Sequence, residues 1–93
     1  MIKHVVMWKM KESEQLGKMK EKLESLEESV EEVESLEVGI NFNDSTRAYD
    51  IVLIVEFSDK DALASYQKDP KHLEVANFVN EVTKEVVAVD YYC

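Results

Sequence analysis

Two side chains able to handle protons stand close together in the segment Tyr66-Gln67-Lys68-Asp69-Pro70-Lys71-His72. An imidazole near its reference pKa of about 6.5 accepts a proton at neutral pH. A phenol hydroxyl donates a hydrogen bond to an oxygen that gains negative charge, such as an enolate. Together they suit proton transfer beside a carbonyl group. The chain's only proline lies between them. Pro70 has no N–H and its ring clashes with the preceding turn, so a helix arriving from Ser58 should end near Lys68. Asp69 then Pro70 is also a helix start, an acceptor at the cap followed by proline at the first helical position. A tight corner between two helices lets Tyr66 and His72 meet. His72 shares a helical face with Val75, Ala76 and Val79 and should point inward. His4 is expected beside the pair on the helix-facing side of a sheet. The bland alternative is that these residues are packed core, His4 being a satisfied core histidine.

Other chemistries have little support. Two histidines far apart, with no cysteine near them, are poor zinc ligands. There is no glycine-rich phosphate loop and no serine-centred elbow. No cofactor or metal is therefore expected, and Trp8, Tyr49, Phe57 and Phe78 read as core aromatics. Cys93 is the single cysteine, so no internal disulfide forms and nothing implies an oxidising compartment. The net charge of −9 argues against nucleic acid and anionic membranes as partners. The apolar run at Met1–Lys9 is too short and too interrupted for a signal peptide. No stretch approaches the roughly 20 apolar residues of a membrane span. A cytoplasmic location is expected.

The elements that would position the pair follow from periodicity. Ile2 to Met10 reads as a strand, with Ile2, His4, Val6, Trp8 and Met10 on one face and Lys3, Val5, Met7 and Lys9 on the other. A helix starts at Glu12 or Ser13, its stripe Leu16, Met19, Leu23 and Leu26 spaced by threes and fours. It should finish near Ser29, because Glu27, Glu28, Glu31, Glu32 and Glu34 repel one another in a continuous helix. That acidic turn reads as a solvated surface, with a weak cation site as the less common alternative. Leu36, Val38, Ile40 and Phe42 alternate with polar residues or glycine as a second strand. Asn43 to Arg47 is a loop. Asp50 to Phe57 is a third strand, apolar on both faces and so near the middle of the sheet. After the helix pair, in which Ser58 or Asp59 caps the first helix, Glu85 to Tyr92 is the last strand, with Val86 and Ala88 on one face.

The order strand, helix, strand, strand, helix pair, strand predicts an α+β, ferredoxin-like antiparallel sheet with its helices on one face. The 93 residues suffice for a single domain, 1–93. The other face would then carry Val5, Met7, Val52, Ile54, Val87 and Val89 uncovered. Two such faces packed across a two-fold axis would bury them, which predicts a homodimer through the sheet face.

Met1-Ile2-Lys3-His4-Val5-Val6, Tyr49-Asp50-Ile51-Val52-Leu53, the Tyr66 to His72 segment and Val89-Asp90-Tyr91 resemble the stress-responsive A/B barrel (Dabb) family, along essentially the whole chain. The Tyr-to-Pro-x-His segment is the most specific part. The resemblance implies a homodimeric α/β barrel with a pocket between sheet and helices. The residues expected to line it are His4, Val6, Trp8, Leu53, Tyr66, His72 and Val86, around a small apolar ligand. The best-understood type in the family is a plant polyketide cyclase, olivetolic acid cyclase. Similarity to it implies catalytic roles for Tyr66 and His72 and a pocket role for His4. Asp69 departs from that pattern, where the cyclase has a further histidine. So does the first helix, where Lys, Glu and Leu replace an aromatic wall. Three functions stay open: a ligand-binding dimer, a cyclase-like enzyme acting on a carbonyl substrate, and an interaction module without a ligand.

Overall fold

In the computed structural model, which describes all 93 residues, four strands form one antiparallel sheet. They are β1 (Ile2–Met10), β2 (Ser35–Ile40), β3 (Ile51–Phe57) and β4 (Thr83–Tyr92), in the order β2-β3-β1-β4. The helices are α1 (Leu16–Glu24), entered by a 3-10 turn at Ser13–Gln15, α2 (Leu26–Ser29), α3 (Lys60–Lys68) and α4 (Pro70–Val82). This is the ferredoxin-like α+β arrangement that the pattern predicts. The two middle strands, β1 and β3, both carry apolar residues on both faces.

Burial follows strand parity. Ile2, His4, Val6, Trp8 and Met10 are buried on β1, and Ile51, Leu53, Val55 and Phe57 on β3. The register pairs Val6 with Leu53 and His4 with Val55, so these residues form one continuous apolar floor. Met19, Leu23, Leu26, Val75 and Val79 close over it. Each fully buried aliphatic side chain contributes about 1.5–3 kcal/mol through its removal from water.

Local chemistry sets the helix ends. The Asp59 carboxylate accepts from Ala62 N at 2.8 Å and caps α3. Asp69 takes an extended backbone between α3 and α4, and its carboxylate accepts from Lys71 N at 2.8 Å. Pro70 occupies the first turn of α4, where its missing N–H costs nothing.

Three boundaries differ from expectation. The first helical segment is interrupted at Ser25, whose hydroxyl donates to Lys22 O at 2.6 Å. Such back-bonding competes with the helix ladder. The second strand stops at Ile40, and Phe42 is fully exposed outside it. Asparagine side chains divert the backbone there: the Asn41 Oδ1 accepts from Asn43 N at 3.0 Å, and the Asn43 Oδ1 from Ser45 N at 2.9 Å. The last strand begins at Thr83, directly after α4, where the Thr83 hydroxyl donates to Val79 O at 2.8 Å.

Candidate functional site

The two-helix corner does what its residue types dictate. Tyr66 arrives at the end of α3 and His72 leaves in the first turn of α4, so their rings meet with centroids 4.4 Å apart. Tyr66 is fully buried and also packs on Phe57, with ring centroids 4.9 Å apart. His4 projects from β1 to the same place, its ring centroid 6.3 Å from that of Tyr66. The pair and His4 are therefore together on the helix-facing side of the sheet.

They border a cavity of about 260 Å³ between sheet and helices. Of the residues expected there, His4, Val6, Trp8, Leu53, Tyr66 and His72 line it. Val86 does not. It lies opposite Trp8 in the register, but on an edge strand beyond the helices, and it is 60% exposed. Its place is taken by Ala88, opposite Val6. The strand alternation that pairs Val86 with Ala88 on one face was the available signal; what it lacked was how far the helices reach. The same is true of Leu23 and Leu26, read in the sequence only as a core stripe, which form part of the wall. Asn80 also lines the cavity, and no sequence pattern singles it out.

Polar atoms in this apolar enclosure are few. The Tyr66 hydroxyl and His72 Nδ1 are both buried without a hydrogen-bond partner. An unpaired buried polar group of this kind costs about 1–3 kcal/mol. Burial pushes the Tyr66 hydroxyl's pKa well above its usual value, so it remains a neutral donor. Burial also pushes the His72 pKa down, a backbone interaction with Gln67 opposes this, the His4 ring adds to the lowering, and the Asp69 carboxylate opposes it. The net result is an imidazole that stays neutral at pH 7 and keeps a ring nitrogen free to accept.

His4 is held differently. Strand register places it opposite Asp90, and its Nδ1 lies 2.5 Å from the Asp90 carboxylate. This pairing spans 86 positions in the chain, which is why reading the residues in order missed Asp90. This hydrogen bond orients the imidazole with its Nδ1 committed to the sheet edge. No group of three or more His, Cys, Asp or Glu side chains is close enough to hold a metal ion. No helix is long and apolar enough to cross a membrane.

A neutral donor and a neutral acceptor, side by side in an apolar enclosure, can hold a carbonyl oxygen and receive a proton from the adjacent carbon. They can equally serve as the two polar anchors of a binding pocket.

The sequence of residues 2–93 matches the family described as Stress responsive A/B Barrel Domain. No curated protein matches the chain. Among solved structures, it is similar to a dimeric protein of unknown function and ferredoxin-like fold from Bacteroides fragilis. The two are 27% identical, with a TM-score of 0.87, over 99% of this chain and 95% of that one. It is also similar to a dimeric ferredoxin-like protein of unknown function from Thermobifida fusca, 18% identical, TM-score 0.88, over 99% and 90% of the two chains. A third similar structure is the hydroxynitrile lyase of Passiflora edulis, 15% identical, TM-score 0.85, over 97% and 90%. At identities this low the last two show the fold alone.

Proposed function

Because this chain belongs to the stress responsive A/B barrel domain family, we propose that residues 1–93 form one such domain, a homodimer joined through its sheet faces. Each protomer binds a small, mostly apolar organic molecule between sheet and helices. The observation that carries the ligand reading is the pair of unpartnered polar atoms, Tyr66 Oη and His72 Nδ1, beside a cavity of about 260 Å³. That volume lies just below the ~300–1,000 Å³ usual for ligand pockets, so the ligand is small. A hydroxyl on it would satisfy both atoms at once, accepting from the Tyr66 hydroxyl and donating to His72 Nδ1.

The dimer rests on the opposite face. Met7, Val87, Val89 and Tyr91 are exposed there, next to the half-buried Val5, Val52 and Ile54. A second copy offers the same surface, and the Bacteroides fragilis and Thermobifida fusca relatives are described as dimeric.

The test of the ligand reading uses Trp8, the only tryptophan, which lines the cavity. Titration with a panel of small apolar ketones and phenols should change its fluorescence saturably, and Tyr66→Phe should weaken the effect. A flat response across the panel, with no shift of the His72 amide resonances, would overturn this reading.

A second reading is catalytic. A neutral imidazole beside a neutral phenol favours proton transfer at the carbon next to a carbonyl, the chemistry of a cyclase or lyase. Exchange of the α-protons of a bound ketone with deuterium would reveal it. His72→Ala should abolish that exchange while the fold persists. Exchange unchanged by His72→Ala would remove the catalytic reading and leave binding alone.

A further inference from the structure

The open face of the sheet carries a second concavity, unrelated to the His4–Tyr66–His72 site. It measures about 470 Å³. Its floor is Met7 and Val52 with Gly39 between the walls. Gly39 is opposite Val52 in the register, and a side chain at 39 would meet the Val52 methyl at 3.2 Å. The absence of that side chain is what makes the hollow. Arg47, the only arginine of the chain, and Tyr49 form part of its wall.

Phe42 is one of the residues that line this hollow, and it is 100% exposed. A phenyl group left wholly in water forgoes the stabilisation that burial would bring. The loop presents it in a held geometry. Asn41, Asn43 and Ser45 each accept a backbone N–H two residues on. The far end of the loop is tied to β1, where Asp50 N donates to Trp8 O at 2.8 Å and the Asp50 carboxylate accepts from Met10 N at 2.7 Å. A loop ordered in advance loses little entropy on docking.

We infer that Phe42 is the anchor of the homodimer: each protomer's Phe42 inserts into the partner's hollow above Gly39, flanked by Arg47 and Tyr49. This rests on the sheet-to-sheet dimer proposed above and adds its energetic centre. An isologous interface must carry a projection and its complement on one patch, so that the two-fold axis exchanges them. Phe42 and the Gly39 hollow are adjacent, and the hollow is continuous with the apolar face through Met7 and Val52. The composition also fits. Aromatic residues and arginine dominate interface hot spots, and an arginine beside an inserted ring gains a cation–π contact.

Sedimentation equilibrium of wild type and Phe42→Ala decides the matter. Phe42 covers nothing in its own protomer, so the variant folds normally and its far-ultraviolet dichroism serves as the check. The dimer dissociation constant should rise at least tenfold for Phe42→Ala and stay within threefold for Phe42→Trp. Isotope-filtered NMR on a dimer mixed from labelled and unlabelled chains should show contacts from the Phe42 ring to the partner's Met7 methyl and Gly39 amide. A dimeric wild type with an unchanged dissociation constant in Phe42→Ala overturns the anchor and leaves the sheet dimer standing. A wild type that is monomeric at tens of micromolar overturns both.

Discussion

The two faces of the central strands are built from neighbouring residues and yet lack opposite things. On the helix side, His4, Val6, Trp8 and Leu53 are buried. What remains unsatisfied there is polar: the Tyr66 hydroxyl and His72 Nδ1. On the open side, Val5, Met7, Val52 and Ile54 alternate with those same residues. What remains unsatisfied there is apolar: exposed Met7, Val87 and Val89. Inside, burial removes water from groups that want it, and the partner proposed for them is a small molecule with a polar atom. Outside, no helix covers the sheet, and the partner proposed for it is a second copy of the same surface. Alternation along β1 and β3 thus puts the proposed ligand site and the proposed dimer surface on opposite sides of one sheet.

The sharpest way to separate the faces is to charge one of them. Val52→Glu with Ile54→Glu should dissociate the dimer outright, because charges buried without partners cost roughly 3–5 kcal/mol each or more. Sedimentation should report the monomer mass, while Trp8 fluorescence, on the other face, stays near wild type. A double variant that remains dimeric would place the interface elsewhere.

Removing the support beneath the cavity tests the helix side. Phe57 is fully buried under Tyr66. Phe57→Ala should lower stability by about 3–5 kcal/mol, through lost burial and the void left behind. Denaturant unfolding monitored by circular dichroism measures it, and a loss below 1 kcal/mol would mean that Tyr66 does not depend on that packing.

Tyr66→Phe deletes only the unpaired hydroxyl, so stability and function should move in opposite directions. The ligand-free protein should gain about 1 kcal/mol, since a buried group without a partner is removed, while ligand binding or turnover falls. A thermal melt beside a binding titration reads both. A variant less stable than wild type would show that the hydroxyl has a partner.

The smallest effect is in pH. His72 has a lowered pKa in the folded protein, chiefly from burial, so the unfolded chain binds the proton more readily. Stability should therefore be highest above the unfolded value of about 6.5 and fall as pH drops from there through the lowered folded-state value. One such proton gives a slope of at most about 1.4 kcal/mol per pH unit. His72→Asn should flatten that part of the profile, and an unchanged profile would show that His72 is not desolvated.

Much of this architecture is legible in the sequence alone. The helix corner is a local matter: Asp69 and Pro70 end one helix and start the next because one supplies an acceptor and the other lacks a donor. The division of β1 into two faces follows from the two-residue period of a strand. Residues whose position depends on the reach of a neighbouring element read less well. Val86 has the parity of a cavity residue but lies beyond the helices. Phe42 has the parity of a strand residue but falls where asparagine side chains have already turned the chain.

Sequence alone therefore determined which residues share a face, where the helices break and that the sheet has an uncovered side, because each depends on contacts within a few positions of the chain. Tertiary structure decided that His4 is held by Asp90, that Tyr66 and His72 border a cavity rather than fill one, and that a hollow opens over Gly39 beside an exposed Phe42. Those outcomes depend on cross-strand register between distant segments and on how the helices lie across the sheet, and no local pattern encodes the distance between surfaces that meet only after folding.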